Sequence, residues 1–307
     1  MTDTVARVRV GIVILPEDRW WAAEPKWRAA EEYGFDHAWT YDHLGWRSLV
    51  DGPWFSAIPT LTAAATVTTR ISLGTFVASP NFRYPVPFMR ELITLDDIAD
   101  GRIILGIGAG GLGYDTVVTG EPQLTPRRRA DRFGEFVEAL DGLLMTDRFD
   151  YSGEFYQINE ARNLPGPVQR PRLPFLVAAN GPRAMRLAAR FGAGWVTTGG
   201  APDDPERGGT LDGWWSRIAE LGRRFDAILD EVGRDRAGVA RYLSLDSAPV
   251  FALSSVAAFA DAAGRAAELG FTDVVVHWPR STDPYAGRET VLEQVVADVL
   301  PGLQNRA

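Results

Sequence analysis

The 307-residue sequence contains three histidines and no cysteine, so proton transfer near neutrality falls to His37, His43 and His277. His43 and His277 each close an apolar run, whereas His37 stands near the start of one. Asp42 precedes His43, and a neighbouring carboxylate orients an imidazole and keeps it in working range as a proton donor. The plainer alternative is a loop histidine bonded to backbone. His277 precedes Trp278-Pro279 and reads first as a structural histidine beneath the tryptophan, second as a wall of a substrate pocket. Without cysteine there is no disulfide, thiolate nucleophile or thiolate metal site. With no His-x-His or His-Glu-x-x-His pair and no Gly-x-Ser-x-Gly elbow, neither metal catalysis nor a serine nucleophile is expected.

Two loops suit an anion or a flat ring. The run from Gly106 to Gly111, GIGAGG, formally contains the dinucleotide pattern Gly-x-Gly-x-x-Gly. Two features oppose that reading: Leu112–Pro122 is a poor helix, and Asp131, about 20 residues on, falls inside a helix instead of at a strand end. A turn of small residues, Gly108, Ala109 and Gly110, that lets a ring or phosphate lie against backbone fits better. Asn180-Gly181-Pro182-Arg183 enters a helix whose free N–H groups and dipole favour phosphate, with Arg183 as counter-charge; the bland alternative is a tight turn. Arg83 is a further cation expected on that face. Aromatic residues crowd the neighbouring loops and imply a pocket for a flat apolar ligand, lined by Trp46, Trp54, Tyr114 and Trp278 together with His277. Trp195, inside an apolar run, is assigned to packing.

These residues need a scaffold that gathers loop after loop at one end. Short β-branched runs predict strands at Val8–Ile14, Phe35–Tyr41, Ile71–Val77, Ile103–Ile107, Phe175–Ala178, Gly194–Thr198, Ala240–Leu245 and Thr272–His277. Helical spacing falls between them at Pro25–Tyr33, Ile58–Thr69, Pro87–Ala99, Arg127–Leu144, Pro182–Phe191, Leu211–Val232 and Ser254–Leu269, with Glu289–Leu300 closing the series. Eight such units predict a single (β/α)₈ TIM barrel of α/β class over residues 1–307, its working face built by the loops after the strands. Residues 150–174 read as a surface insertion with a short hairpin after the fourth unit, and residues 199–210 as a flexible lid loop. Arg127-Arg128-Arg129 with Arg132 reads as a solvated helix face.

A net charge of -8 opposes nucleic-acid binding, which needs a basic face. No run of about 18 apolar residues spans a membrane, and the N-terminal run ends at Pro16 without a small-residue cleavage site. A hydrophobic fraction of 46% and a charged fraction of 23% are those of a soluble globular protein, and a cytoplasmic location is expected.

Five stretches together resemble the bacterial luciferase-like flavin and deazaflavin oxidoreductases: Tyr41-Asp42-His43-Leu44, LGTFVASPNFRYP (73–85), TLDDIADGRIILGIGAG (94–110), RFGEFVEALDGLL (132–144) and AANGPRAMRLAARFGAGWV (178–196). The resemblance implies a barrel holding FMN or the deazaflavin coenzyme F-420. It implies a non-prolyl cis peptide between Phe76 and Val77, with Ala78 next to it, backing the ring. Gly108, Ala109 and Gly110 would line the ring or ribityl chain, Asn180, Gly181 and Pro182 would take the phosphate, and His43 would sit near the reactive ring edge. The Leu-Gly-Thr-x-Val-x-x-Pro form and Asp-His-Leu look more like the deazaflavin branch than the sulfonate monooxygenases. The sugar-phosphate dehydrogenases of that branch carry a glutamate just after the glycine turn; this chain has Gly111. Luciferase's reactive cysteine also has no counterpart. The expected function is hydride transfer between F-420 and a small organic substrate. The alternatives are an FMN-dependent monooxygenase and, from another class, a non-catalytic flavin-binding barrel. A homodimer follows from the resemblance alone.

Overall fold

Strands buried on both faces are mostly apolar, as in the short runs FLVA and GWVT, and the polar ends of HAWT and GWVT are buried with hydrogen-bond partners. In the computed structural model, which describes residues 7–200 and 209–304, they become parts of a closed barrel. The order is β1 (Arg9–Val13), α1 (Trp20–Glu32), β2 (His37–Thr40), α2 (Ala57–Val67), β3 (Ser72–Thr75), α3 (Pro85–Ile98) and β4 (Ile103–Gly108). Then come α4 (Tyr114–Val118), α5 (Pro126–Met145), β5 (Arg148–Ser152), β6 (Gln157–Arg162), β7 (Phe175–Ala178), α6 (Pro182–Phe191) and β8 (Gly194–Thr197). The chain continues through α7 (Leu211–Glu231), β9 (Ala240–Ser244), α8 (Val256–Glu268), β10 (Asp273–His277), α9 (Glu289–Asp298) and α10 (Leu300–Gln304). The barrel runs β1-β10-β9-β8-β7-β4-β3-β2, every pair parallel, and closes where Arg9 to Val13 align with Asp273 to His277. This is the (β/α)₈ fold expected from the alternation. β5 and β6 form a separate antiparallel hairpin outside it, starting at Arg148, before the predicted insertion begins.

Two apolar layers result. Phe133, Phe136, Val137, Leu140, Leu143 and Leu144, the predicted stripe of α5, are all buried between helix and sheet. Inside the barrel Val13, Trp39, Phe76, Leu176, Val196, Tyr242 and Val275 pack together. Trp195 is buried, donates Nε1–H to the Ala179 carbonyl and stacks on Phe225 at 4.5 Å, as packing requires.

The amino end of the barrel is plugged by a polar cluster. Trp39 Nε1 donates to His37 Nδ1 at 2.7 Å, so His37 Nε2 donates to Asp273 Oδ1 at 3.0 Å, and Arg9 pairs with the same carboxylate at 2.8 Å. Burial alone would raise the Asp273 carboxyl, but His37 and Arg9 hold it below the ordinary value. Space for the imidazole comes from Gly11, where a Cβ would lie 1.9 Å from His37 Nδ1. His37 thus belongs to the scaffold, as its place early in the strand implies.

Three helical expectations are corrected. α1 begins at Trp20, not Pro25: the proline falls in its second turn and removes one N–H near Trp21, which is 77% exposed. The N-cap of α8 is Ser255, which accepts from Ala258 N at 3.1 Å, one residue beyond the predicted Ser254. Arg132 leaves the solvated face assigned to it: it lies beside the core stripe of α5 and is 8% exposed. Among the described residues no helix is long and apolar enough to cross a membrane.

Candidate active site

The carboxyl ends of the barrel strands surround a cavity of about 760 Å³. Tyr41, His43 and Trp46 enter it after β2, Phe76 and Val77 after β3, Gly108, Ala109 and Gly110 from β4, and Ala178 and Asn180 from β7. Thr198 and Gly200 follow β8, Ser244 ends β9 with Asp246 just beyond it, and Tyr285 closes the mouth beyond β10. Parallel barrels place ligands at this face.

The back wall is fixed by backbone. The Phe76-Val77 peptide is cis, at the position the resemblance implies. Phe76 N donates to the Thr40 carbonyl and Ala78 N to that of Gly106, each at 2.8 Å, while Thr75 Oγ1 donates to Gly106 O at 2.7 Å. Phe76 and Val77 reach the cavity, but Ala78 is wholly buried and bridges to Ile107 behind it. A Cβ on Gly108 would lie 3.0 Å from Val77 Cγ2, and one on Gly110 would lie 2.5 Å from Asn81 Oδ1, with φ +69 besides. Asn81 Nδ2 donates to the Gly111 carbonyl at 3.1 Å, and the buried Arg132 donates to Asn81 Oδ1 at 2.7 Å. Burial lowers the Arg132 pKa from its ordinary value. The formal dinucleotide pattern leads only into the five-residue α4, and Asp131 sits in α5, paired with Arg183.

His43 is the best-placed proton carrier. Its Nδ1 lies 2.6 Å from Asp115 Oδ2, while Asp115 Oδ1 accepts the Leu44 N–H at 2.8 Å. A carboxylate accepts only, so Nδ1 carries the proton and Nε2 keeps its lone pair. Trp54 Nε1 donates to the His43 carbonyl at 2.7 Å and braces the loop. The expected partner Asp42 does not serve: Arg83 grips it through Nε at 2.9 Å and Nη2 at 2.6 Å and also pairs with Glu91 at 2.7 Å. Successive residues at a strand end point apart, so Asp42 and Arg83 form a buried brace. Arg83 is therefore not a cation for a ligand.

The other predicted residues divide. Trp46 lines the cavity and meets Tyr41 edge-on at 5.0 Å. Trp54 lies behind the His43 loop, and Tyr114, 40% exposed, covers Gly45. Trp278 stacks on Tyr33 at 6.3 Å and donates to Glu289 at 2.8 Å, away from the cavity. His277 stands directly behind the wall, stacked on Tyr285 at 3.6 Å and bonded to Tyr41. Asn180 reaches the cavity with its side chain tied to Thr197 and Thr198. Gly181, Pro182 and Arg183 are outside the lining; Arg183 turns outward to Asp131 at 2.8 Å. α6 starts without a side-chain cap, and the N–H groups of Arg183 and Ala184 lack acceptors within the helix. The predicted lid falls mostly on residues 201–208, outside the described residues.

Several site residues escaped the sequence reading. Asp115 lies 72 positions from its partner, on a helix too short for periodicity to reveal. Asp246 follows β9 by two residues and was accessible to the strand-end rule. Tyr285 stands in an irregular loop and Arg47 opens a three-residue 3-10 turn, neither long enough to carry a pattern.

The likeness to known proteins runs through the whole barrel. The F420-dependent glucose-6-phosphate dehydrogenase of Kineococcus radiotolerans is 33% identical over 270 residues, covering 83% of this chain and 78% of that protein. Among solved structures, an F420-dependent secondary alcohol dehydrogenase superposes with a TM-score of 0.79 at 18% identity, covering 97% of this chain and 100% of that one. The coenzyme F420 dependent tetrahydromethanopterin reductase of Methanopyrus kandleri does so at 0.76 and 19%, with the same coverage. The sequence pattern of the luciferase-like monooxygenases matches residues 24–246. Its matched span holds the barrel wall from α1 to Asp246, and the chain belongs to the luciferase-like monooxygenase family.

Proposed function

We propose that the protein is an oxidoreductase that uses coenzyme F-420 for hydride transfer to or from a small organic substrate. The observation that carries this is the joint placement of His43, locked by Asp115, and a glycine-floored cavity of about 760 Å³, a size typical of small-molecule sites. The cavity fits a flat ring system: Gly108 and Gly110 leave backbone bare where a Cβ would meet Val77 or Asn81. The residues that would hold the coenzyme are Phe76, Val77, Gly108, Ala109, Gly110 and Asn180. The free N–H groups opening α6 would face its phosphate. Similarity to the Kineococcus dehydrogenase supports the choice of coenzyme. It does not carry the substrate over, because this chain has Gly111 where the sugar-phosphate dehydrogenases carry an acid, and nothing lies within 4 Å of where its side chain would start.

When bound, the coenzyme exchanges a hydride with substrate. The chain supplies the rest. His43 Nε2 takes up or returns a proton at the reacting edge of the cavity, Asp115 holds the imidazole in that tautomer, and Trp46 and Tyr41 form a wall that limits water. A homodimer, as in the resemblance, belongs to the same proposal and is checked by light scattering.

The deciding test is a parallel fluorescence titration of the protein with F-420 and with FMN. Tight F-420 binding with weak FMN binding is expected. The reverse would move the reaction to flavin-dependent oxygen activation, and binding without turnover of any alcohol or carbonyl tested would favour a non-catalytic barrel.

A further inference from the structure

A second histidine and carboxylate stand at the same mouth. Asp246 Oδ2 lies 2.9 Å from His277 Nδ1 and accepts the His277 backbone N–H at 2.6 Å; Oδ1 accepts the Ala252 N–H at 2.9 Å. With Asp246 accepting throughout, the imidazole proton sits on Nδ1. Nε2 is then the acceptor for the Tyr41 hydroxyl, 2.7 Å away. Since that hydroxyl has one proton, the 3.0 Å contact between Tyr41 and Tyr285 is donated by Tyr285. Donation therefore runs from Tyr285 to Tyr41 to His277 to Asp246, and the Tyr285 oxygen is left as an acceptor. Burial raises the pKa of both phenols, which keeps their protons in place. Tyr41, Tyr285 and Asp246 line the cavity, and Trp46 stacks over Tyr285 at 6.1 Å. Tyr41 also meets the His43 ring at 5.9 Å, so both histidine systems serve one space.

We propose that the chain Asp246–His277–Tyr41–Tyr285 is a second proton-accepting station, and that its phenolic end binds the hydroxyl of an alcohol substrate. The proposal rests on the oxidoreductase reading and names its substrate class. The alcohol O–H bond breaks as its proton passes to the Tyr285 oxygen; the Tyr285 proton moves to Tyr41, and the Tyr41 proton to His277 Nε2. The resulting imidazolium faces Asp246. The hydrogen on the carbinol carbon leaves with its electron pair as hydride to the deazaflavin, and a carbonyl remains. The other charged groups facing this chain are Arg47, over the Trp46 ring at 4.4 Å, and Arg280, paired with Glu17 at 2.7 Å.

The test uses the full chain labelled with nitrogen-15 histidine, where three histidines make assignment direct. Cyclohexanol and methoxycyclohexane, which has no O–H, are titrated without coenzyme. Cyclohexanol is expected to bind at least about tenfold more tightly and to shift the His277 Nε2 resonance. Tyr285→Phe and, separately, Tyr41→Phe are expected to abolish both the preference and the shift. Equal affinity for the two probes, or a preference retained in whichever variants fold, overturns the proposal. F-420 titration of the parent is read independently: lost F-420 binding with an intact cyclohexanol preference defeats the oxidoreductase reading but not the hydroxyl site.

Discussion

With Nδ1 held by Asp115, the His43 ring offers the cavity one nitrogen, and its usefulness depends on that tautomer. Asp115→Asn replaces an obligatory acceptor with an amide that can also donate, which allows the proton to move to Nε2. Turnover is expected to fall by about 10²–10⁴ in both Asp115→Asn and His43→Ala. Steady-state kinetics at saturating F-420 checks this, with fluorescence titration showing that the coenzyme still binds. Residue identity was readable where chemistry and a strand end coincided, as at His43. Pairing was not. Adjacency suggested Asp42, but the strand end turns that carboxylate into the grip of Arg83, and the true partner arrives from another loop.

Two elements carry predictions of their own. Glu31, near the end of α1, accepts the backbone N–H groups of Thr69, Arg70 and Ile71 and so ties the helix to the start of β3. Partial burial alone would raise its carboxyl, but these three donors bring it down to about 2. Because the folded value lies below the ordinary 4.5, the stabilisation is full above about pH 4.5 and is lost as the pH falls towards 2. Glu31→Gln is expected to cost on the order of 1 kcal/mol at pH 7 and progressively less at acid pH, measured as Tm against pH for both proteins. In the turn after β4, Gly110→Ala forces a Cβ towards Asn81 at φ +69. A stability loss of about 1–2 kcal/mol in urea is expected, with weaker F-420 binding in the same titration as the parent. Strand positions were legible because buried parallel strands are mostly apolar. The start of α1 was not, because proline ordinarily marks a first turn and here occupies the second.

Across the molecule, stability and chemistry sit at opposite ends of the barrel. The plug of His37, Asp273 and Arg9 closes the amino end, while His43 and His277 stand at the carboxyl end. Asp273→Ala leaves the buried His37 ring and the part-exposed Arg9 without their shared acceptor and is expected to cost about 1–3 kcal/mol in urea unfolding. Activity per folded molecule should hold near the parent value, because no plug residue reaches the cavity. The fold as a whole was the most legible property, since eight repeats of one pattern reinforce each other. The polar plug was invisible, because its members are scattered over 264 positions and meet only through closure.

That closure has a consequence for synthesis. β1 is hydrogen-bonded to β10, and Val8 N donates to the Leu303 carbonyl at 3.2 Å, so the first strand acquires its second neighbour only from the last part of the chain. At about 5–20 residues per second the interval on the ribosome is tens of seconds. Throughout it the nascent sheet presents an open edge at β1, and Arg9 waits for the carboxylate that will neutralise it. Slower translation extends that exposure, which makes yield of native protein a function of elongation rate and chaperone supply as much as of sequence.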